Sequence, residues 1–171
     1  MNDTHRVTWL LDENVTFINH GSFGACPTPV LEAQRRWRER LEREPVRFMD
    51  GLEAHLDHAR GTLATFLGAQ ADDLVFVPNA TAGMNTVLRS LDFSAGDELL
   101  TTDHEYNACL NAVRAVAARS GAKVIVANVP FPISSPEEVT AAVLSAVTPR
   151  TRLAALSHVT SPTPIRFSAS A

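Results

Sequence analysis

Cysteine is scarce in this chain: Cys26 and Cys109 are the only two in 171 residues. Their wide separation matches no metal-ligand or redox spacing, and nothing in the pattern calls for a disulfide. A reducing, cytoplasmic setting fits that usage. Long apolar runs are lacking too. The first residues, Met1 to Arg6, are polar, and the apolar residues after them are too few and interrupted for a signal peptide or membrane span. Excess charge is small: a net −4 offers little to nucleic acid or to a membrane surface. No Gly-Lys-Ser/Thr closes a phosphate loop, and no Gly-x-Gly-x-x-Gly follows a strand, which argues against an ordinary nucleotide-binding domain. What is present is globular: 45% hydrophobic and 20% charged residues, enough chain for one domain with a good core.

The most informative stretch runs from Asp73 to Asn85. Leu74 to Val77 reads as a buried strand, broken at Pro78-Asn79 and followed by the small residues Ala80, Thr81, Ala82 and Gly83. Met84, Val87, Leu88 and Leu91 then recur at helical spacing. A helix start leaves N–H groups unpaired, and with the helix dipole and a hydroxyl such as Thr81 it suits an anion, most often a phosphate. The same residues also serve a plainer purpose, with Asn79 or Thr81 capping the helix.

Before this stretch, Val15 to Ile18 is a brief strand or extended arm leading to Asn19-His20-Gly21-Ser22-Phe23-Gly24, a tight backbone path. Thr28 and Pro29 open a helix to about Arg43, with Thr28 as the cap. Arg35, Arg36, Arg38, Arg40 and Arg43 are interleaved with glutamates, and Glu32–Arg36 and Glu39–Arg43 are spaced as ion pairs, which reads as a solvated face. Glu44-Pro45 ends that helix. A second runs from Leu52 to Leu67, with Leu52, Leu56, Ala59, Leu63, Phe66 and Leu67 as an apolar stripe and Gly68 as the stop. His55 and His58 lie one turn apart without a third ligand nearby, so no metal site is expected.

After the central stretch come a strand to Thr102, a helix from about Ala108 to Arg119, a strand Lys123 to Ala127, a helix capped by Ser135 with Glu138 at its third position, and a strand Thr151 to Ser157. Alternation of this kind predicts an α/β fold: an N-terminal arm and helices, then a mostly parallel sheet with flanking helices and right-handed crossovers. Ligands of such sheets sit at the carboxyl ends of the strands. Three polar clusters fall there: Asn79-Ala80-Thr81, Asp103-His104-Glu105-Tyr106 and His158-Val159-Thr160-Ser161.

With these residues in view the chain resembles the N-terminal half of a class V aminotransferase-fold enzyme, of the isopenicillin N epimerase-like branch. The matching signatures, in order, are Ile18 to Gly24, Pro45-Val46-Arg47-Phe48, Phe76 to Thr81, Thr101 to Tyr106, and Ser157 to Thr163. The resemblance implies fold type I and pyridoxal 5′-phosphate as cofactor. Ala80, Thr81 and Ala82 would hold its phosphate. His104 would stack on the pyridine ring and take part in proton movement, and Thr160 and Ser161 would contact its phenolic oxygen. Asn19, His20 and Gly21 would line the substrate entrance, for an amino acid or amine. It further implies a homodimer, and a division into an arm over residues 1–27 and an incomplete cofactor-binding large domain over 28–171, with the small C-terminal domain absent.

Such enzymes hold the cofactor as a Schiff base on a lysine, which the resemblance places beyond the end of this sequence. The single lysine here, Lys123, begins a strand at the end of the sheet opposite the expected site. Pro164 stands where relatives carry a small residue. The expectation is therefore a piece of an epimerase, aminotransferase or lyase that is inactive alone and poorly soluble. The alternative is a non-catalytic remnant or a partner-binding α/β domain.

Overall fold

Proline and glycine punctuate the first half of the chain. The computed structural model describes residues 9–167; the polar stretch Met1 to Arg6 and the tail from Ser168 lie outside them. The chain divides into two compact units between Val75 and Phe76. In the first, α1 (Thr28–Arg43) follows Pro27, with Thr28 as its first helical residue rather than its cap. A short helix that the sequence reading did not separate, α2 (Pro45–Asp50), starts on Pro45, whose missing N–H is harmless at a helix start. Then α3 (Leu52–Leu67) runs to Gly68, which takes the left-handed conformation (φ 67°) expected of a terminating glycine.

Of the two readings of Val15 to Ile18, a strand or an extended arm, no strand forms; Trp9 makes an isolated bridge to Pro27, and the Val15 N–H closes a turn on the Asp12 carbonyl. The apolar stripe of α3 is largely on the surface, with Phe66 at 85% exposure and only Ala64 buried.

Leu74 to Val77 is a further correction. Leu74 has extended backbone angles (φ −108°, ψ 133°), but the run pairs with no strand among the described residues. β propensity becomes a strand only when a neighbour completes the ladder and covers the side chains. Without one, Val75, Phe76 and Val77 stay exposed. The helix that follows, α4 (Ala80–Ser90), does form, and begins directly on the small residues.

The second unit holds α4 and the sheet: β1 (Glu98–Thr102), α5 (Asn107–Ser120), β2 (Lys123–Ala127), α6 (Pro136–Ser145) and β3 (Thr151–Ala154). The three strands are parallel in the order β2-β1-β3. β1 is central and buried along its whole length, as a strand covered on both faces must be. Leu88, Leu99, Val113, Val116 and Ala155 form the core, with Met84, Phe93 and Leu153 packed against it. Gly121 ends α5 with φ 74°, where an added Cβ would approach the Ala95 methyl at 3.2 Å, so the turn into β2 needs glycine twice over. Ser135 stands at the cap of α6 with Pro136 first, as read, but its hydroxyl makes no cap bond; Glu138 accepts from the Ser134 N–H at 2.9 Å instead. No helix among the described residues is long and apolar enough to cross a membrane.

The amino edge of the sheet carries a buried clamp. Glu98 accepts from the Thr148 hydroxyl at 2.5 Å and from Arg150 Nε and Nη2 at 2.8 and 2.7 Å. Those bonds, with Thr148 contributing most, hold its carboxyl below the ordinary value of 4.5. A carboxyl with a depressed folded-state pKa stabilises the fold above its unfolded pKa and loses that contribution as pH falls through the folded one. Glu98→Gln should therefore lower the melting temperature at neutral pH, and the gap to the parent should narrow as pH drops below 4.5. Melts that stay a constant distance apart down to about pH 2.5 would remove the clamp from the acid response.

Candidate functional site

In a parallel sheet the chain leaves each strand at the same edge, and neighbouring exits pointing to opposite sides open a crevice. Here β2 and β3 lie on opposite sides of β1, so the connections leaving β1 and β2 run in opposite directions across the sheet. The exits of β1 and β3 are the place where side chains meet.

His104 is buried at 7% exposure just past β1. Its Nε2 lies 2.9 Å from the Val129 carbonyl, and Nδ1 bonds the Thr163 hydroxyl. A carbonyl only accepts, so Nε2 carries a proton; in the neutral ring Nδ1 then accepts from Thr163. Both nitrogens are engaged, leaving the ring's faces as its free chemistry, with Phe131 tilted at 6.2 Å. Asp103 accepts from the Val129 N–H at 3.0 Å, which fixes the loop that supplies the carbonyl.

Glu105 ties the two exits together. One oxygen accepts from the Tyr106 N–H at 2.7 Å and the Ser157 hydroxyl at 2.6 Å, and the other accepts from the Ser157 N–H at 3.1 Å. The carboxylate is 5% exposed. Burial and the Glu105 charge push the nearby Cys109 thiol upward, so it is protonated at neutral pH and is no ready nucleophile.

Beyond β3, residues 158–167 form a small hairpin: Val159 bridges Arg166, and the Phe167 N–H reaches the His158 carbonyl at 2.8 Å. The buried Thr160 hydroxyl is spent within it, donating to the Thr163 carbonyl and accepting from the Ile165 N–H at 3.1 Å. Ser161 and His158 are exposed. The structure thus joins His104 and Thr160 through Thr163.

The start of α4 is a separate group. Asn79 caps it, accepting from the Ala82 N–H at 2.9 Å, and the Gly83 N–H goes to the Asn79 carbonyl. Helix geometry gives the Ala80 and Thr81 N–H groups no acceptor, and among the described residues the Thr81 hydroxyl has no partner. Asn19, His20 and Gly21 belong to the first unit. His20 packs there against Trp9 at 5.0 Å and edge-on to Phe17 at 4.7 Å. Lys123 opens β2 in register with Glu98, at the amino edge and so opposite His104. No group of three or more potential metal ligands occurs among the described residues.

Sequence reading missed the roles of Glu105, Thr163 and Val129. Glu105 and Thr163 stood beside residues it did select, and a glutamate directly after a strand-end histidine is a usable signal. The Val129 contribution is a backbone carbonyl and leaves no trace in side-chain identity.

Comparison with known proteins adds an independent line. A family model described as aminotransferase class-V matches residues 26–166. The isopenicillin N epimerase of Streptomyces clavuligerus is 37% identical over 155 residues, covering 90% of this chain and 39% of the epimerase. Putative L-cysteine desulfhydrase 2 of Oryza sativa subsp. japonica is 32% identical over 165 residues, covering 87% of this chain and 34% of that protein. Among solved structures, a C-DES mutant with glycine covalently linked to its PLP cofactor superposes with a TM-score of 0.76 at 28% identity, over 86% of this chain and 39% of that one. The cystine C-S lyase C-DES with its product cysteine persulfide matches equally well. The chain spans little more than a third of the length of these relatives.

Proposed function

Because the chain belongs to the class V aminotransferase family, we propose that it supplies the phosphate-holding and ring-facing parts of a pyridoxal 5′-phosphate site in an enzyme acting on an amino acid or amine. The start of α4 carries this reading: two N–H groups and a hydroxyl stand free at the positive end of a helix. That donor set fits a phosphate. Ala80 and Thr81 would hold it, while Ala82 contributes through its cap on Asn79 and so fixes the turn. His104, pinned at both nitrogens, presents a ring plane of set orientation. The bonds to Thr163 and Val129 meet the ring at its edge, in its plane, so stacking on a face leaves them in place. Thr160 serves by holding that hairpin's shape, and Ser161, exposed beside it, is the member of the pair open to the cofactor's phenolic oxygen. When bound, the cofactor withdraws electrons from the substrate's α-carbon, which is the step shared by epimerases, aminotransferases and β-lyases.

Within the same reading, Asn19, His20 and Gly21 border the substrate entrance. Residues 1–27 form an arm, and the remainder belongs to the cofactor-binding domain of a cytoplasmic homodimer. The relatives are named as an epimerase and as desulfhydrases, so an amino-acid substrate follows and the choice among outcomes is left to groups outside this site.

The test is a titration with pyridoxal 5′-phosphate beside pyridoxal, which lacks the phosphate. Binding should favour the phosphorylated form, and Thr81→Ala should weaken it roughly ten-fold, the worth of one hydrogen bond to a charged group. Equal affinity for both forms would overturn the phosphate assignment. Borohydride treatment of the complex should leave Lys123 unmodified; a specific adduct there would overturn its placement away from the site.

A further inference from the structure

Three sequence features remain without a role: the arginine-rich stretch of α1, the signature Pro45 to Phe48, and His55. They meet at one cavity of about 400 Å³ in the first unit, bordered by Arg40, Arg43, Arg47, Glu44, Gly51 and His55. Spacing had assigned Arg43 to Glu39, but Glu39 pairs with Arg35 at 3.9 Å. Arg43 has no carboxylate partner among the described residues.

Arg40 is held in place. Its guanidinium lies 4.5 Å over the Trp37 ring, and Nη2 is 3.3 Å from His55 Nε2. Arginine only donates, so that histidine nitrogen is the acceptor. Trp37 in turn packs edge-on against His55 at 4.8 Å and against Phe48 at 6.1 Å. The planar fork is therefore fixed before any ligand arrives, which reduces the entropy lost on binding. Arg47 meets Glu44 at 3.3 Å. α3 begins beside the cavity at Gly51 with no side-chain cap, leaving its first N–H groups without a side-chain acceptor.

Three guanidinium groups face one carboxylate, an excess of two positive charges. We propose that this cavity binds a doubly charged oxyanion of the phosphate type, independently of the site at α4. Arg40 and Arg43 supply the free donors, His55 positions Arg40, and Glu44 holds Arg47 at the rim. The need for a divalent anion follows from the charge excess, and the planar forks match the oxygens of a tetrahedral phosphate.

The experiment uses the full 171-residue chain carrying Thr81→Ala, so that phosphate binding at α4 is already weakened. Inorganic phosphate is titrated at constant ionic strength, followed by calorimetry and by tryptophan emission in a Trp9→Phe background, so that the signal reports Trp37 beside Arg40. Saturable binding with an emission change is expected. Arg43→Gln removes a charge whose side chain makes no ion pair, and should weaken binding about ten-fold or more while the thermal melt stays in place. Arg40→Gln should do the same and alter the emission. Arg114→Gln, on α5 of the other unit, should do neither. Absence of saturable binding, or an affinity that Arg43→Gln leaves unchanged, overturns the proposal.

Discussion

Glu105→Ala is expected to destabilise the second unit by about 3 kcal/mol, the cost of stranding buried donors that had been bonded to a charged acceptor. Tyr106 N–H, Ser157 N–H and the Ser157 hydroxyl all lose their partner at once, in a place only 5% exposed. Water cannot replace the carboxylate there without opening the crevice between the exits of β1 and β3. The loss reads out as a lower urea midpoint with an unchanged slope. Glu105→Gln separates geometry from charge: it keeps one acceptor oxygen but turns an amide toward one of the donors. It should therefore recover only part of the loss. If both variants unfold within about 0.5 kcal/mol of the parent, as an ordinary surface change would, the carboxylate does not bind the two exits together. Because His104 is the preceding residue, Glu105→Ala should also disturb its bond to Thr163, visible as a changed imidazole resonance.

The other large effect lies in the core. Leu99 is fully buried in central β1, among Leu88, Val113 and Ala155. Leu99→Ala removes apolar contact and leaves a void, for a loss of about 3–4 kcal/mol. Against a total stability of about 5–15 kcal/mol for a domain, that is a large fraction. A thermal melt by circular dichroism should fall by many degrees or lose its cooperativity. The contrast is Phe66→Ala: the larger side chain is 85% exposed, and the change should stay within about 0.5 kcal/mol. Equal effects from the two would mean that the core is not centred on β1.

Much of this architecture is legible in the sequence because local chemistry and tertiary context agree. Gly68 and Gly121 sit where helices must turn left-handed, and both do. Lys123 to Ala127 is β-rich, bounded by a glycine-closed helix, and forms β2 as read. The Leu74 to Val77 run shows where legibility ends. Its composition is as strand-like as that of β2, and what it lacks is a neighbour, which no window of sequence displays. The ion pairs of α1 fail for a related reason. Glu39 has arginines at equal spacing on either side, and the choice of Arg35 over Arg43 is made by surroundings. At the candidate site the sequence supplied His104 and Thr160, both buried where the strands end, and the cap and hydroxyl at α4. It gave no hint that the Val129 carbonyl would settle which nitrogen of His104 bears a proton.

The order β2-β1-β3 has a kinetic meaning. β1 reaches β2 across a single helix, but it reaches β3 only after a second helix has been laid down and the chain has passed back over β1. Closing the shorter loop sacrifices less chain entropy, so the β1–α5–β2 crossover unit is the natural nucleus and β3 docks late. Every contact that joins His104 and Glu105 to residues 157–163 therefore belongs to the last part of the chain to assemble and the first to come away. Loss of the Glu105 carboxylate should then quicken unfolding while leaving the folding rate nearly untouched. A molecule that grips both exits would lengthen the life of the native state rather than speed its formation.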